Sequence, residues 1–116
     1  MNTTNDFEER FKRLKLQYTK QIPEKISAII EDWQNTKETG DQETLKRLHR
    51  NVHSLVGTSG TFGFSDLSLL ARELEIELKP FSEIPTKKPY FLEKIHTIEE
   101  KINALIYLIK TINIKS

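Results

Sequence analysis

Apolar residues recur at three- and four-residue steps along nearly the whole chain, the signature of amphipathic helices that share a core. From Asp6 onward Phe7, Phe11, Leu14 and Tyr18 form the first stripe, with Thr4 or Asn5 placed to cap it. The stripe continues past Pro23 through Ile22, Ile26, Ile29, Ile30 and Trp33. Proline lacks an amide donor and disfavours helical geometry in the residue before it, so a kink or short break is expected near Gln21–Pro23. Gly40 and Asp41 close this unit, and Asp41 is placed as N-cap of the next, whose inward stripe is Leu45, Leu48, Val52, Leu55 and Ser59. Gly63 suits the left-handed conformation that ends a helix. Ser65 is placed to cap the following helix, with Phe64 stapled on Leu69. That helix directs Leu67, Leu70, Ala71, Leu74 and Leu78 inward. Pro80 and Pro85 bracket a loop, and Pro89 suits the first turn of a last helix carrying Phe91, Ile95, Ile98, Ile102, Leu105, Ile109 and Ile112.

Four major stripes joined by short connections predict an all-α fold: an antiparallel four-helix bundle, with the N-terminal segment as an additional helix over one end. There is no strand pattern and no internal repeat. The isoleucine and leucine run after Phe91 lasts about three heptads, too short for a sustained coiled coil, and reads as core packing. A chain of 116 residues matches one domain with a single core, spanning 1–116.

The segment Val52–Phe64 breaks the ordinary rules of helix composition. It holds three of the four glycines in the chain. An interior glycine costs a helix roughly 0.5–1 kcal/mol against alanine, so Gly57 and Gly60 serve something other than helix stability. At about 100° per residue, Gly57 lies about 40° and Gly60 about 20° from the direction of His53, clearing the surface beyond the imidazole. His53 itself sits about 125° from the centre of the inward stripe, at the boundary of core and solvent. This arrangement admits a large partner close to His53. Near pH 7 a neutral imidazole is a competent nucleophile, and its phosphorylated form is a labile phosphoramidate suited to a carrier.

The run His-Ser-Leu-Val-Gly-Thr-Ser-Gly-Thr-Phe-Gly-Phe, followed by Leu67, Leu70, Ala71 and Leu74-Glu75, resembles the histidine-containing phosphotransfer (HPt) domain, including that of chemotaxis-type kinases. The matching motif extends from about Leu48 to Glu75. The resemblance implies that His53 is the phosphoacceptor and that Glu75 supplies the acceptor that orients its ring. Arg72 and Lys79 lie three and four residues from Glu75 on the same flank and are nearby cations for a phosphoryl group, as is Arg50 one turn before His53. The family usually carries lysine three residues after the histidine, where this chain has Val56. His49, Val56, Gly57 and Gly60 make up the expected partner-docking surface, with His49 read as an exposed residue. His96 is given no role, and Phe62 and Phe64 are read as core.

The implied function is phosphorelay signalling, with His53 accepting a phosphoryl group from the aspartate of a response-regulator receiver domain and donating it back. Two alternatives stand beside it: a receiver-docking module that no longer accepts phosphate, for which Val56 speaks, and the substrate domain of a larger histidine kinase. The chain has no glycine-rich nucleotide loop before a lysine, no Asp/Asn signature of an ATP site and no acidic triad for magnesium. It therefore reads as a phosphocarrier and not an enzyme, with no cofactor or metal of its own and magnesium expected only on the receiver. A histidine kinase is the other expected partner, and the chain is expected to be a monomer.

Composition narrows the remaining classes. Charged residues make up 30% of the chain but the net charge is only +1, which suggests neither nucleic acid nor an acidic membrane surface as a partner. There are no cysteines, excluding disulfides and thiolate metal sites and fitting a reducing compartment. The N-terminus is polar and no apolar run approaches the roughly 20 residues of a membrane span, so a cytoplasmic location is expected.

Overall fold

In a computed structural model that describes residues 3–83 and 88–115, the chain forms four helices. They are α1 (Thr3–Thr39), α2 (Gln42–Thr61), α3 (Ser65–Glu83) and α4 (Lys88–Lys115). Each helix packs on its neighbours in sequence, and α1 closes the ring against α4. Cross-links between the helices run in opposite directions along each pair. Tyr18 meets Thr58 while Asp32 meets Arg47, Gly60 faces Ser68 while Gln42 reaches Phe81, and Glu73 pairs with Lys101 while Glu77 pairs with Lys94. Adjacent helices are therefore antiparallel. Among the described residues no helix is long and apolar enough to cross a membrane.

The predicted inward stripes form the core. Leu45, Leu48, Val52, Leu55 and Ser59 of α2 are all buried, as are Leu67, Ala71, Leu74 and Leu78 of α3 and Ile98, Ile102, Leu105 and Ile109 of α4. Leu70 and Ile95 lie partly buried against them. Phe91 and Ile112 fall outside the residues whose side chains are described, and Pro85 lies outside the described residues.

The expected break at Pro23 is absent, and with it the separate N-terminal helix. α1 continues through Pro23 as one helix of 37 residues. An interior proline costs a helix about 3 kcal/mol. On the same face Tyr18, Ile22, Ile26 and Ile29 are each no more than 4% exposed, and burial of each such side chain contributes roughly 1.5–3 kcal/mol. Their sum exceeds the cost of the proline, so packing carries the helix through it without a break. Restoring the amide donor with Pro23→Ala should raise stability by at least about 1 kcal/mol, read as a higher midpoint in thermal or urea unfolding.

The start of α1 also differs from expectation. Thr4 and Asn5 lie inside the helix rather than capping it. Phe7 is 71% and Leu14 51% exposed, because this end runs past the α2–α3 turn, where Phe11 packs on Phe62 at 5.6 Å between ring centres. Tyr18 is the first fully buried residue of the stripe. Its ring stacks on Phe62 at 4.9 Å, and its hydroxyl bonds the Thr58 hydroxyl at 2.7 Å.

Asp41 caps α2 as expected, its carboxylate accepting from the Thr44 amide and hydroxyl. Gly63 closes α2 with φ +80°. The Phe64 amide donates to the Ser59 carbonyl at 2.8 Å and the Gly63 amide to the Gly60 carbonyl at 3.2 Å, the paired bonds of a Schellman motif. Ser65 is already the first helical residue of α3, and the Ser68 amide donates to the Phe64 carbonyl, so Phe64 occupies the cap position. The predicted staple does not form: Leu69 is 61% exposed, and Phe64 turns instead towards Tyr18. Pro80 does not open a loop either. α3 runs on to Glu83, held by burial of Phe81 and by Gln42, whose amide donates to the Phe81 carbonyl at 2.8 Å.

One buried charge carries no local sequence signal. Asp32 is 5% exposed, and its two carboxylate oxygens accept from Arg47 Nε and Asn51 Nδ2, each at 2.9 Å. Both partners lie on α2, far along the chain. The group thus ties α1 to α2 and satisfies a carboxylate that would be costly to bury alone.

Candidate functional site

Most of the α2 surface between His49 and Gly60 faces α3 or solvent rather than the core. His53 lies on this surface with its side chain 72% exposed, and its Nδ1 is hydrogen-bonded to Glu75 Oε2 of α3. The carboxylate accepts, so Nδ1 carries the hydrogen and Nε2, on the opposite edge of the ring, keeps its lone pair. Glu75 is only 17% exposed. It sits behind the imidazole rather than in front of it, with its carboxylate directed at the ring. A largely exposed nucleophilic nitrogen and a sheltered acceptor therefore occupy opposite edges of one ring.

Around this pair lies an open groove of about 490 Å³. α2 contributes His49, Arg50 and His53 to its walls, and α3 contributes Arg72, Glu75, Ile76 and Lys79. The structure thus brings together the predicted nucleophile, its orienting acceptor and all three predicted cations. Three positive side chains around one histidine make a setting suited to a transferable anion. Among the described residues there is no group of three or more His, Asp or Glu side chains placed to hold a metal ion.

The predicted docking surface needs correction at two positions. Val56 is 8% exposed and belongs to the core; α3 covers it, with Ser68 Oγ donating to the Val56 carbonyl at 2.9 Å. It is therefore not part of an exposed docking surface. Gly60 is exposed, but a Cβ there would come 3.3 Å from Ser68 Oγ, so its small size also serves the close approach of α3. Of these two glycines Gly57 is the one that opens to empty space, with nothing among the described residues within 4 Å of where a Cβ would stand.

His49 is the second correction. It is not an exposed residue: its side chain is 20% exposed, and its Nε2 lies 3.7 Å from Glu75 Oε2. Its ring stacks on that of His53, with 6.3 Å between centres and 20° between planes. Burial pushes the His49 imidazole below its usual 6.5, and the positive sides of His53 and Lys79 add to this, while Glu75 and Glu83 oppose it. The neutral ring is therefore the native form. On acidification the unfolded chain takes up this proton first, so stability from neutral His49 is whole above about 6.5 and is lost as pH falls below it.

Ile76 escaped the sequence reading. It lines the groove and is 63% exposed. The available signal was an apolar residue beside Glu75, off the inward stripe of its helix. His96 stays outside the site, 84% exposed and paired with Glu100 one turn on.

The sequence model of the Hpt domain family matches residues 13–105, which include the whole groove. The chain belongs to the Hpt domain family. No curated protein and no solved structure matches it. Hpt domains are phosphocarrier modules that work with response regulators and kinases, and membership of the family implies that this chain takes part in two-component phosphorelay signalling. The Hpt match begins after Phe7, so the exposed first turns of α1 lie outside it.

Proposed function

We propose that His53 is the residue that carries the phosphoryl group, taking it from the aspartyl phosphate of a receiver domain and returning it by the reverse reaction. The single observation that supports this most is the Nδ1 bond to sheltered Glu75 on an otherwise exposed ring. The Nε2 lone pair attacks phosphorus while the bond from phosphorus to the aspartyl oxygen breaks, and the electron pair leaves with the receiver carboxylate. Positive charge that develops on the imidazole is met through the Nδ1 hydrogen by Glu75. Arg72, with Arg50 and Lys79, neutralises the phosphoryl oxygens in passage. Magnesium and the aspartate belong to the receiver, and no ATP site is needed on this chain.

Incubation with receivers carrying labelled aspartyl phosphate tests the reading. Acid-labile, base-stable label should move to this chain. No transfer from any receiver of the source cell would overturn it. Gly57 tests the approach of the receiver: Gly57→Gln should raise the melting temperature, since glycine is the poorer helix former by roughly 0.5–1 kcal/mol, yet weaken receiver binding. Titration calorimetry beside thermal melting would show the two moving in opposite directions, and unchanged affinity would assign the glycine a packing role alone.

A further inference from the structure

His53 and His49 face the same oxygen. Glu75 Oε2 accepts from His53 Nδ1 and also lies 3.7 Å from His49 Nε2. The second contact is too long for a hydrogen bond, and the buried His49 Nε2 has no hydrogen-bond partner among the described residues. Resting on the carrier reading above, we infer that His49 is a positioning residue for His53 acting through Glu75: while its ring is neutral the carboxylate is left to His53, and its protonation draws that carboxylate away from His53.

The charged surroundings decide what protonation does. From α3 the groups about His49 are Glu75, Lys79 and Glu83, and from its own helix they are Glu43, Lys46, Arg50 and His53. Of the three carboxylates, Glu75 is the one within ion-pairing distance. A second, smaller groove borders His49 on the side of Glu43 and Ser82, so His49 lines both grooves while His53 lines only the first. Once charged, His49 competes for Oε2. It also places a positive ring against one that must itself become positive during transfer. Both effects disfavour phosphoryl acceptance, so the carrier works best while His49 is neutral.

Ring-¹⁵N-labelled full chain, followed by NMR from about pH 5 to 8, tests this without any phosphoryl donor. In the parent chain the ring nitrogens of His53 should show a second inflection at the pH where His49 titrates. His49→Gln should abolish the second inflection, and Glu75→Gln should weaken it, since the stacked rings still sense each other's charge without the carboxylate. A His53 curve in the parent chain that ignores the His49 titration overturns the inference, even if a variant fails to fold. In a second arm, single-turnover transfer from a phosphorylated receiver is normalised to each chain's own rate at pH 8. Between pH 8 and 5.5 the parent should lose more rate than His49→Gln, by at most about tenfold because burial keeps the His49 imidazole below its usual 6.5. Equal profiles also overturn it. Coupled titration with no transfer by any chain would count against the carrier reading while leaving the coupling in place.

Discussion

His53→Gln should abolish phosphoryl acceptance and leave the fold intact. Glutamine offers no ring nitrogen whose lone pair can attack phosphorus, and no other described residue puts an imidazole into the open part of the groove. His49, its nearest substitute, is sheltered, and its Nε2 is directed at Glu75. The fold should not notice the change, because the His53 side chain is 72% exposed and glutamine is at least as good a helix former. Its amide can still donate to Glu75. Surface substitutions of this kind usually stay within about 0.5 kcal/mol. Labelled transfer from a phosphorylated receiver, measured beside a circular dichroism melt, should show no signal in the first and an unchanged curve in the second. Acid-labile phosphate retained on the variant would move the phosphoacceptor elsewhere.

Arg72→Ala should slow transfer by roughly tenfold to a hundredfold. An ionised donor to a phosphoryl oxygen typically contributes about 1.5–3 kcal/mol, and spent on the transition state this gives that range of rates. Arg72 stands one turn before Glu75 on the α3 wall of the groove, and its guanidinium can donate two parallel bonds where Lys79 presents a single point charge. Arg50→Ala and Lys79→Ala should therefore have smaller effects. Val56→Ala is not a neutral control, since it would remove a buried side chain. Single-turnover rates with receiver in excess rank the three cations. A parent rate for Arg72→Ala would assign the charge to Arg50 or to the receiver.

Periodicity and local chemistry in the sequence determined the centres of the buried faces, the Asp41 cap, the left-handed turn at Gly63 and the outward direction of His53. These follow from the bond geometry of a helix and from side chains acting on their own neighbours, so they need no knowledge of the other helices. The continuity of α1 and α3 was decided by tertiary structure. Pro23 and Pro80 carry the strongest local signals against a helix, but burial of Ile22, Ile26 and Phe81 outweighs them. The edges of the faces were decided there too. Val56 and His49 flank the inward stripe of α2, and whether they are covered depends on how near α3 comes, which Gly60 and Ser68 set at their contact. Asp32 shows the same limit, since its partners Arg47 and Asn51 meet it only after α1 and α2 have docked. A stripe of apolar residues specifies the middle of an interface; its margins belong to the neighbouring helix.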